Sequence, residues 1–534
     1  MIIAKIDALF QVTGSHVHDF YRHYIVSGLK SDKKKLACIG SAILLVVLAH
    51  FYRRIAVPPK ALRAIPHVNF FSYMRSVLFH EDAIKQLRTL YAPLIAKGDG
   101  VYVRPNRVGW SVYVQNPVDI KKVYMKQDLF PKAPDSFGEG DTLINGMIRH
   151  PSILTEVGPS WKVHRQAANP AFHRAMPVKL FGTLAQNLFK QIEIENGPVN
   201  MSLYLERYTF DAITTAGFGY NANAIGDKES EWVCLYTSLK EGVFNPFFFF
   251  FPIFDTKLRW MFPSRVKVHQ ELELFLSKIT EVIVEKRANL ANSSSINSVD
   301  DSDKDLCTLM IEAEESEGGK LTNEQMMNDL LAFVLAADDT TASALGSALY
   351  FLAVNQEIQQ KLREEALEWL GDDNFDVCPT VEQTKDMPYV NMVIKETLRI
   401  MGPAVWGQPR IATEDTLLGN YFIPKNTIVT VDIVGLQHDE NIWKDPYKFN
   451  PERFNSENES NIKRSGAWIP FGSGQRQCIG MNMSLAEQRV LLSMMAKKFE
   501  WSLPEDSIHK NGVVIGGLDI IAPRDLVLDF KKRY

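Results

Sequence analysis

Apolar positions recur mostly at helical spacing along this chain, with short alternating runs between them. The longest helical pattern runs from Leu321 to Asn355. It opens on Thr322-x-x-Gln325, a capping box in which side chains and backbone satisfy each other's free N–H groups. A second apolar run, Met481 to Ser493, has no proline and only two charges, and it predicts a buried helix. Trp161-Lys-Val-His-Arg165 predicts a helix on which Trp161 and Arg165, four apart, share a face. Strand-like runs at 101–103, 111–114, 421–425 and 428–431 predict small sheets. Residues 131–160, rich in Gly, Pro, Asp and Ser, read as a long loop, and the polar stretch from Ala291 to Asp305 reads as another. The pattern describes a mainly α fold with minor β structure.

Leu36 to Tyr52 is the one membrane-like run, 17 residues flanked by Lys33–Lys35 and by Arg53 and Arg54. That length is at the short edge of what crosses a bilayer. Some 30 residues precede it and no small-residue cleavage site follows, which argues against a removed signal peptide. The expected division is an N-terminal extension over 1–35, a single-pass transmembrane anchor over 36–56 and a catalytic domain over 57–534. Val57-Pro58-Pro59 marks the joint, because consecutive prolines exclude helix. Five consecutive phenylalanines at 247–251 cannot all face one core, so lipid contact is expected there as well.

Composition adds little to this. With 46% hydrophobic and 23% charged residues in 534, the chain is an ordinary globular protein. A formal charge of −4 supplies no general pull toward nucleic acid. Five cysteines, at 38, 234, 307, 378 and 478, are too few and scattered for a disulfide framework, as in a reducing compartment.

Chemistry concentrates in Phe471-Gly-Ser-Gly474-Gln-Arg476-Gln-Cys478-Ile-Gly480. A metal holds a coordinating cysteine sulfur deprotonated. Glycines at 472, 474 and 480 would let backbone turn tightly beside a flat macrocycle, with amides toward the sulfur. Arg476 offers a rigid donor fork for a carboxylate. A lone cysteine is more often a buried core residue. The whole pattern, however, arises by chance in only about one chain in ten thousand of this length.

At these residues the sequence resembles the cytochrome P-450 superfamily of haem-thiolate monooxygenases, of the membrane-anchored microsomal type. The resemblance covers roughly residues 57–534 and implies that family's α-rich fold around a long central helix. It implies haem as cofactor, with Cys478 as the axial ligand. Phe471, Gly474, Arg476 and Gly480 would form the haem loop, and Trp161, Arg165 and Arg410 would reach the propionates. Ala336-Ala337-Asp338-Asp339-Thr340 resembles the family's central-helix motif, so Asp339 and Thr340 are expected to relay protons in oxygen activation. A plain kink is the competing reading, since Thr bonds the carbonyl four back and bends helices. Phe333, Ala336, Val405 and Trp406 are expected to line the substrate pocket. Glu396 and Arg399 share a helix face, and by resemblance Arg453 completes a buried structural network with them.

The expected partners are an NADPH-dependent reductase, with cytochrome b5 as an optional second donor, a lipophilic substrate and a membrane, but no nucleic acid. The expected location is the endoplasmic reticulum membrane with the catalytic domain in the cytosol. Two alternatives keep the haem: a reductase-independent isomerase or dehydratase, and a non-enzymatic membrane haem-binding protein.

Overall fold

The computed structural model describes residues 40–534 except 47–48, 51, 107–108, 134–139, 175, 244, 246, 249–250, 293–303, 318–320 and 518–519. Helices dominate, and those that build the site are α1 Gly158–Arg174, α2 Val178–Ile194, α3 Met201–Phe218, α4 Glu231–Val243 and α5 Pro263–Asn292. They are followed by α6 Leu306–Glu317, α7 Asn323–Val354, α8 Pro388–Met401 and α9 Met481–Lys498. The capping box at Thr322 forms as expected. Gln325 N–H donates to Thr322 Oγ1 at 3.1 Å, and Thr322 N–H to Gln325 Oε1 at 2.9 Å. Residues on most faces of α7 are buried, as befits a helix through the middle of the molecule.

Four short strands make the main sheet: β1 Val101–Asn106, β2 Gly109–Val114, β3 Arg410–Ile411 and β4 Ile428–Val431, in the order β1–β2–β4–β3. Side chains alternate across it. Val101, Val103, Val112 and Val114 enter a smaller core with Val429, Val431 and Trp443. Tyr102 and Tyr113, paired across β1 and β2, face the large helical core. The sheet thus joins two cores, and β3 carries Arg410 to their border.

Several expectations need correction. The runs 421–425 and 428–431 do not share a sheet. Tyr421–Ile423 pairs with Thr416–Leu418, whereas β4 runs parallel to β2 in the main sheet. The long loop over 131–160 contains the helix Leu143–Met147, whose first N–H is held by the Asp255 carboxylate at 2.9 Å. Of the polar loop at 291–305, residues 293–303 lie outside the described residues. So do the 1–35 extension and, within the expected anchor, residues 36–39, 47–48 and 51. Among the described residues no helix is long and apolar enough to cross a membrane. Contacts also cross the proline joint, because Trp110 Nε1 donates to Ile55 O at 2.8 Å.

Glu396 organises the approach to the site. Both its oxygens bind Arg399, at 2.7 and 2.9 Å, and Oε1 also accepts from Arg453 Nε at 3.2 Å and Asn450 N–H at 2.9 Å. Arg399 continues to Gln437 O at 2.7 Å, and Arg453 to the carbonyls of Lys444 and Asp445. Three stretches distant in sequence are therefore clamped around one carboxylate. Removing that carboxylate would leave two enclosed guanidinium groups without their anion. Glu396→Ala should cost about 3–5 kcal/mol, read as a lowered denaturation midpoint. An unchanged midpoint would show that the carboxylate holds nothing together.

Candidate functional site

The loop before α9 closes on itself, with Cys478 N–H donating to Phe471 O at 3.0 Å. Gly474 stands at φ 75°, and a Cβ there would lie 2.9 Å from the Tyr124 carbonyl oxygen. Conformation and close approach both require glycine at that position. Gly480 stands apart from Gly474 in backbone conformation. Its φ of −82° is open to any residue, and an added Cβ would meet nothing nearer than Phe172 at 3.8 Å. It is the N-cap residue of α9. Surrounding protein pushes the Cys478 thiol pKa up, while the Gly480 amide, the Arg165 guanidinium and the Met481 amide pull it down. The side chain stays accessible, as an inner ligand must be.

Four cations gather beside that loop. Arg476 donates to Glu156 O at 2.7 Å and lies over the Trp161 ring at 3.9 Å. Arg165 donates to Gln477 O at 3.2 Å, Arg410 to Phe130 O at 3.4 Å and Lys132 to Leu154 O at 2.7 Å. Burial and the neighbouring Arg410 and Arg165 push Arg476 down to about 9. Lys132 is driven well below its ordinary range by burial and by all three arginines. Among the described residues none of the four pairs with a carboxylate; all four donate to backbone carbonyls. The Nε atoms of Arg410 and Arg476 are buried without an acceptor. Enclosed charge of one sign with spare donors is a receptor for a multiply charged anion. A flat ring carrying two carboxylates fits it. Trp161, expected at a propionate, supplies the face on which Arg476 rests. Lys132 was not foreseen, for in the sequence it is a lone lysine between Pro131 and Pro134.

On α7, Thr340 Oγ1 donates to Ala336 O at 2.7 Å. Ala336 is exposed and Thr340 half-buried in a helix otherwise enclosed, so together they mark an accessible strip. Phe333 is buried, its ring edge-on to Phe172 at 4.9 Å. One residue beyond Thr340, Thr341 Oγ1 meets Ser484 Oγ of α9 at 3.1 Å, which fixes the strip relative to the cysteine loop. Asp339 is ion-paired: Lys240 of α4 sits 2.5 Å from its Oδ1, 3.3 Å from Glu206 and 3.7 Å from Asp338. Burial raises the Asp338 carboxyl pKa, and Lys240 opposes that rise. Val405 is fully buried. Trp406 is caged, with the Arg104 guanidinium 3.9 Å over its ring and Tyr91 and Tyr113 edge-on at 6.0 and 5.3 Å.

Comparison with known proteins decides what this arrangement belongs to. The family profile described as Cytochrome P450 matches residues 106–514. The chain belongs to the cytochrome P450 family. Among similar proteins is rat cytochrome P450 3A2, 29% identical over 64% of this chain and 68% of its own. The 11-oxo-beta-amyrin 30-oxidase of Glycyrrhiza uralensis is 27% identical over 75% of each chain. A probable cytochrome P450 516B1 of Dictyostelium discoideum is 27% identical over 76% of this chain and 83% of its own. The crystal structure of a cytochrome P450DA haem domain shares the fold, with TM-score 0.69 and 21% identity over 83% of this chain and 92% of that one. The protein is an oxidoreductase, a haem-thiolate monooxygenase. The accessible cysteine and the uncompensated cations fit that cofactor: Cys478 would hold its iron, and Lys132, Arg165, Arg410 and Arg476 would receive its carboxylates.

Cys478→Ala should therefore abolish the red-shifted Soret band of the ferrous carbon monoxide complex. Persistence of that band in the purified variant would move the ligand elsewhere.

Proposed function

We propose that this cytochrome P450 inserts one oxygen atom into a lipophilic substrate, with electrons from an NADPH-dependent reductase and optionally from cytochrome b5. Bound haem supplies the activation of dioxygen through its thiolate-ligated iron. The observation that carries the reading is the placement of an acid and an alcohol, Asp339 and Thr340, beside the accessible strip of α7. The same placement favours oxygen activation over a reductase-independent isomerase, which needs no proton relay.

In this reading the Thr340 hydroxyl donates a hydrogen bond to the Ala336 carbonyl, which leaves the oxygen lone pairs to hold a water in the strip. When the Asp339 carboxylate leaves Lys240 it takes up a proton from solvent and passes it to that water. Lys240 holds the carboxylate toward α4 between deliveries and shares its charge with Glu206 and Asp338. Lys132, Arg165, Arg410 and Arg476 fix the cofactor's orientation, and Trp406, clamped by Arg104, restricts one wall of the pocket. Val405 backs that wall from the core.

We further propose that residues 36–56 anchor a 57–534 catalytic domain on the cytosolic side of the endoplasmic reticulum membrane. Phe247, Phe251, Ile253, Trp260 and Met261 are exposed together, Trp260 at 72%, while Phe248 packs inward under Arg265. An exposed aromatic patch of this kind suits the lipid interface and gives a lipophilic substrate a way in.

Thr340→Ala should keep haem and substrate affinity while coupled turnover falls by roughly 10²–10⁴-fold, or less if water substitutes, with NADPH electrons diverted to hydrogen peroxide. Unchanged product per NADPH in a haem-loaded variant would remove Thr340 from the reaction. Lys240→Met makes a separate test. Loss of the ammonium removes the partner that holds the Asp339 carboxylate toward α4, so product formed per NADPH should fall across the pH profile. A profile superimposable on that of the parent protein would show that Lys240 is no part of the relay.

A further inference from the structure

One buried pair in the molecule has no part in the reading above. His164 of α1 and Asp329 of α7 meet with Nδ1 and Oδ2 2.7 Å apart, and neither side chain has any exposed surface. The other carboxylate oxygen, Oδ1, accepts the backbone N–H of Ile153 at 2.6 Å. Next to it in sequence, Asn328 donates to Pro151 O at 3.0 Å. Two neighbouring residues of α7 thus hold the segment between the helix Leu143–Met147 and α1.

The opposite side of that segment faces the cations. Ile153 O and Glu156 O accept from Arg476 at 3.5 and 2.7 Å, and Leu154 O accepts from Lys132 at 2.7 Å. Ile153 is therefore held twice, its N–H by the Asp329 carboxylate and its carbonyl by the Arg476 guanidinium. The Ile153 N–H shares its peptide with the Ser152 carbonyl, which accepts from the N–H groups of Thr155 and Glu156 at 3.1 and 2.9 Å, so the carboxylate's pull strengthens the turn that presents the Glu156 carbonyl to Arg476. Burial raises the Asp329 carboxyl pKa, and the bond from His164 opposes that rise. Without His164 the enclosed carboxylate would lose its charge partner, and with it the grip on the segment.

We propose that His164 and Asp329 are positioning residues for the haem carboxylates: through the 151–156 backbone they aim Arg476 and Lys132. This inference rests on the reading that those cations receive the carboxylates. Neither His164 nor Asp329 touches the cofactor. A second-layer hydrogen-bond partner of this kind typically changes affinity 10–100-fold when lost.

The test uses the holoenzyme, with haem transfer to excess apomyoglobin and the ferric/ferrous midpoint potential as readouts. His164→Phe and the isosteric Asp329→Asn should each release haem at least about tenfold faster. Their potentials should become more negative, because a cation withdrawn from haem favours the ferric form. His164→Asn, whose amide reproduces the Nδ1 donor, should stay close to the parent protein on both readouts. Asp211→Asn is the control for mere destabilisation, since Asp211 is a buried carboxylate bonded to Ala224 and Ile225 N–H, remote from the cations. Arg476→Leu reports on the underlying reading. If it moves both readouts and Asp329→Asn moves neither, the positioning role is wrong while the cation reading stands. If Arg476→Leu moves neither, the cation reading itself fails and the inference falls with it. Equal changes in Asp329→Asn and Asp211→Asn would also overturn it, by reducing the pair to a fold brace.

Discussion

The enclosure of four positive charges beside one cysteine is the constraint on which the rest of this protein depends. Like charges at contact range repel by a few kcal/mol each, at an effective dielectric of about 20. A chain folding without a compensating anion would not gather Lys132, Arg165, Arg410 and Arg476. What the protein supplies by itself is partial: backbone carbonyls at Phe130, Leu154, Glu156 and Gln477, and the face of Trp161 under Arg476. The two unaccepted guanidinium Nε atoms show where that provision stops. A cofactor with two carboxylates and a metal for the thiolate completes both halves at once. Folding and cofactor binding are in this sense one event.

Much of the architecture serves to bring these groups together from distant parts of the chain. β3 delivers Arg410 at the seam between two cores, α1 delivers Arg165 and Trp161, and the loop before α9 delivers Arg476 with the cysteine. Glu396 locks α8 to the segment that leads into that loop, at Asn450 and Arg453. The Thr341–Ser484 contact then sets α7 against α9, so the Asp339–Thr340 turn has a fixed height above the loop.

What was legible in the sequence had short-range chemistry. The capping box located the start of α7 within two residues, because Thr322 and Gln325 satisfy each other locally. The cysteine loop was legible because its glycine and arginine spacings are contiguous. The backbone conformation at each glycine was not legible in the same way, for Gly474 stands at φ 75° and Gly480 at −82°. Lys132, Lys240, His164 and Asp329 were missed for another reason. Each meets partners well outside its own element, from Leu154 for Lys132 to Asp339 for Lys240 and 165 residues between His164 and Asp329, and carries no local pattern. Trp406 is expected to line the pocket, but that Arg104 and Tyr113 of the sheet and Tyr91 before it hold its ring was not legible. Side-chain pairing between distant strands is not written in either strand alone.

The central claim is that the cation cluster exists for the carboxylates of haem. The most direct measurement is competition for the apoprotein between haem and haem dimethyl ester, which keeps the iron and the ring and masks both carboxylates. Each charge-assisted bond is worth about 1.5–3 kcal/mol, so the account predicts that the diacid is preferred by at least about a hundredfold. Equal affinity for the two would contradict it.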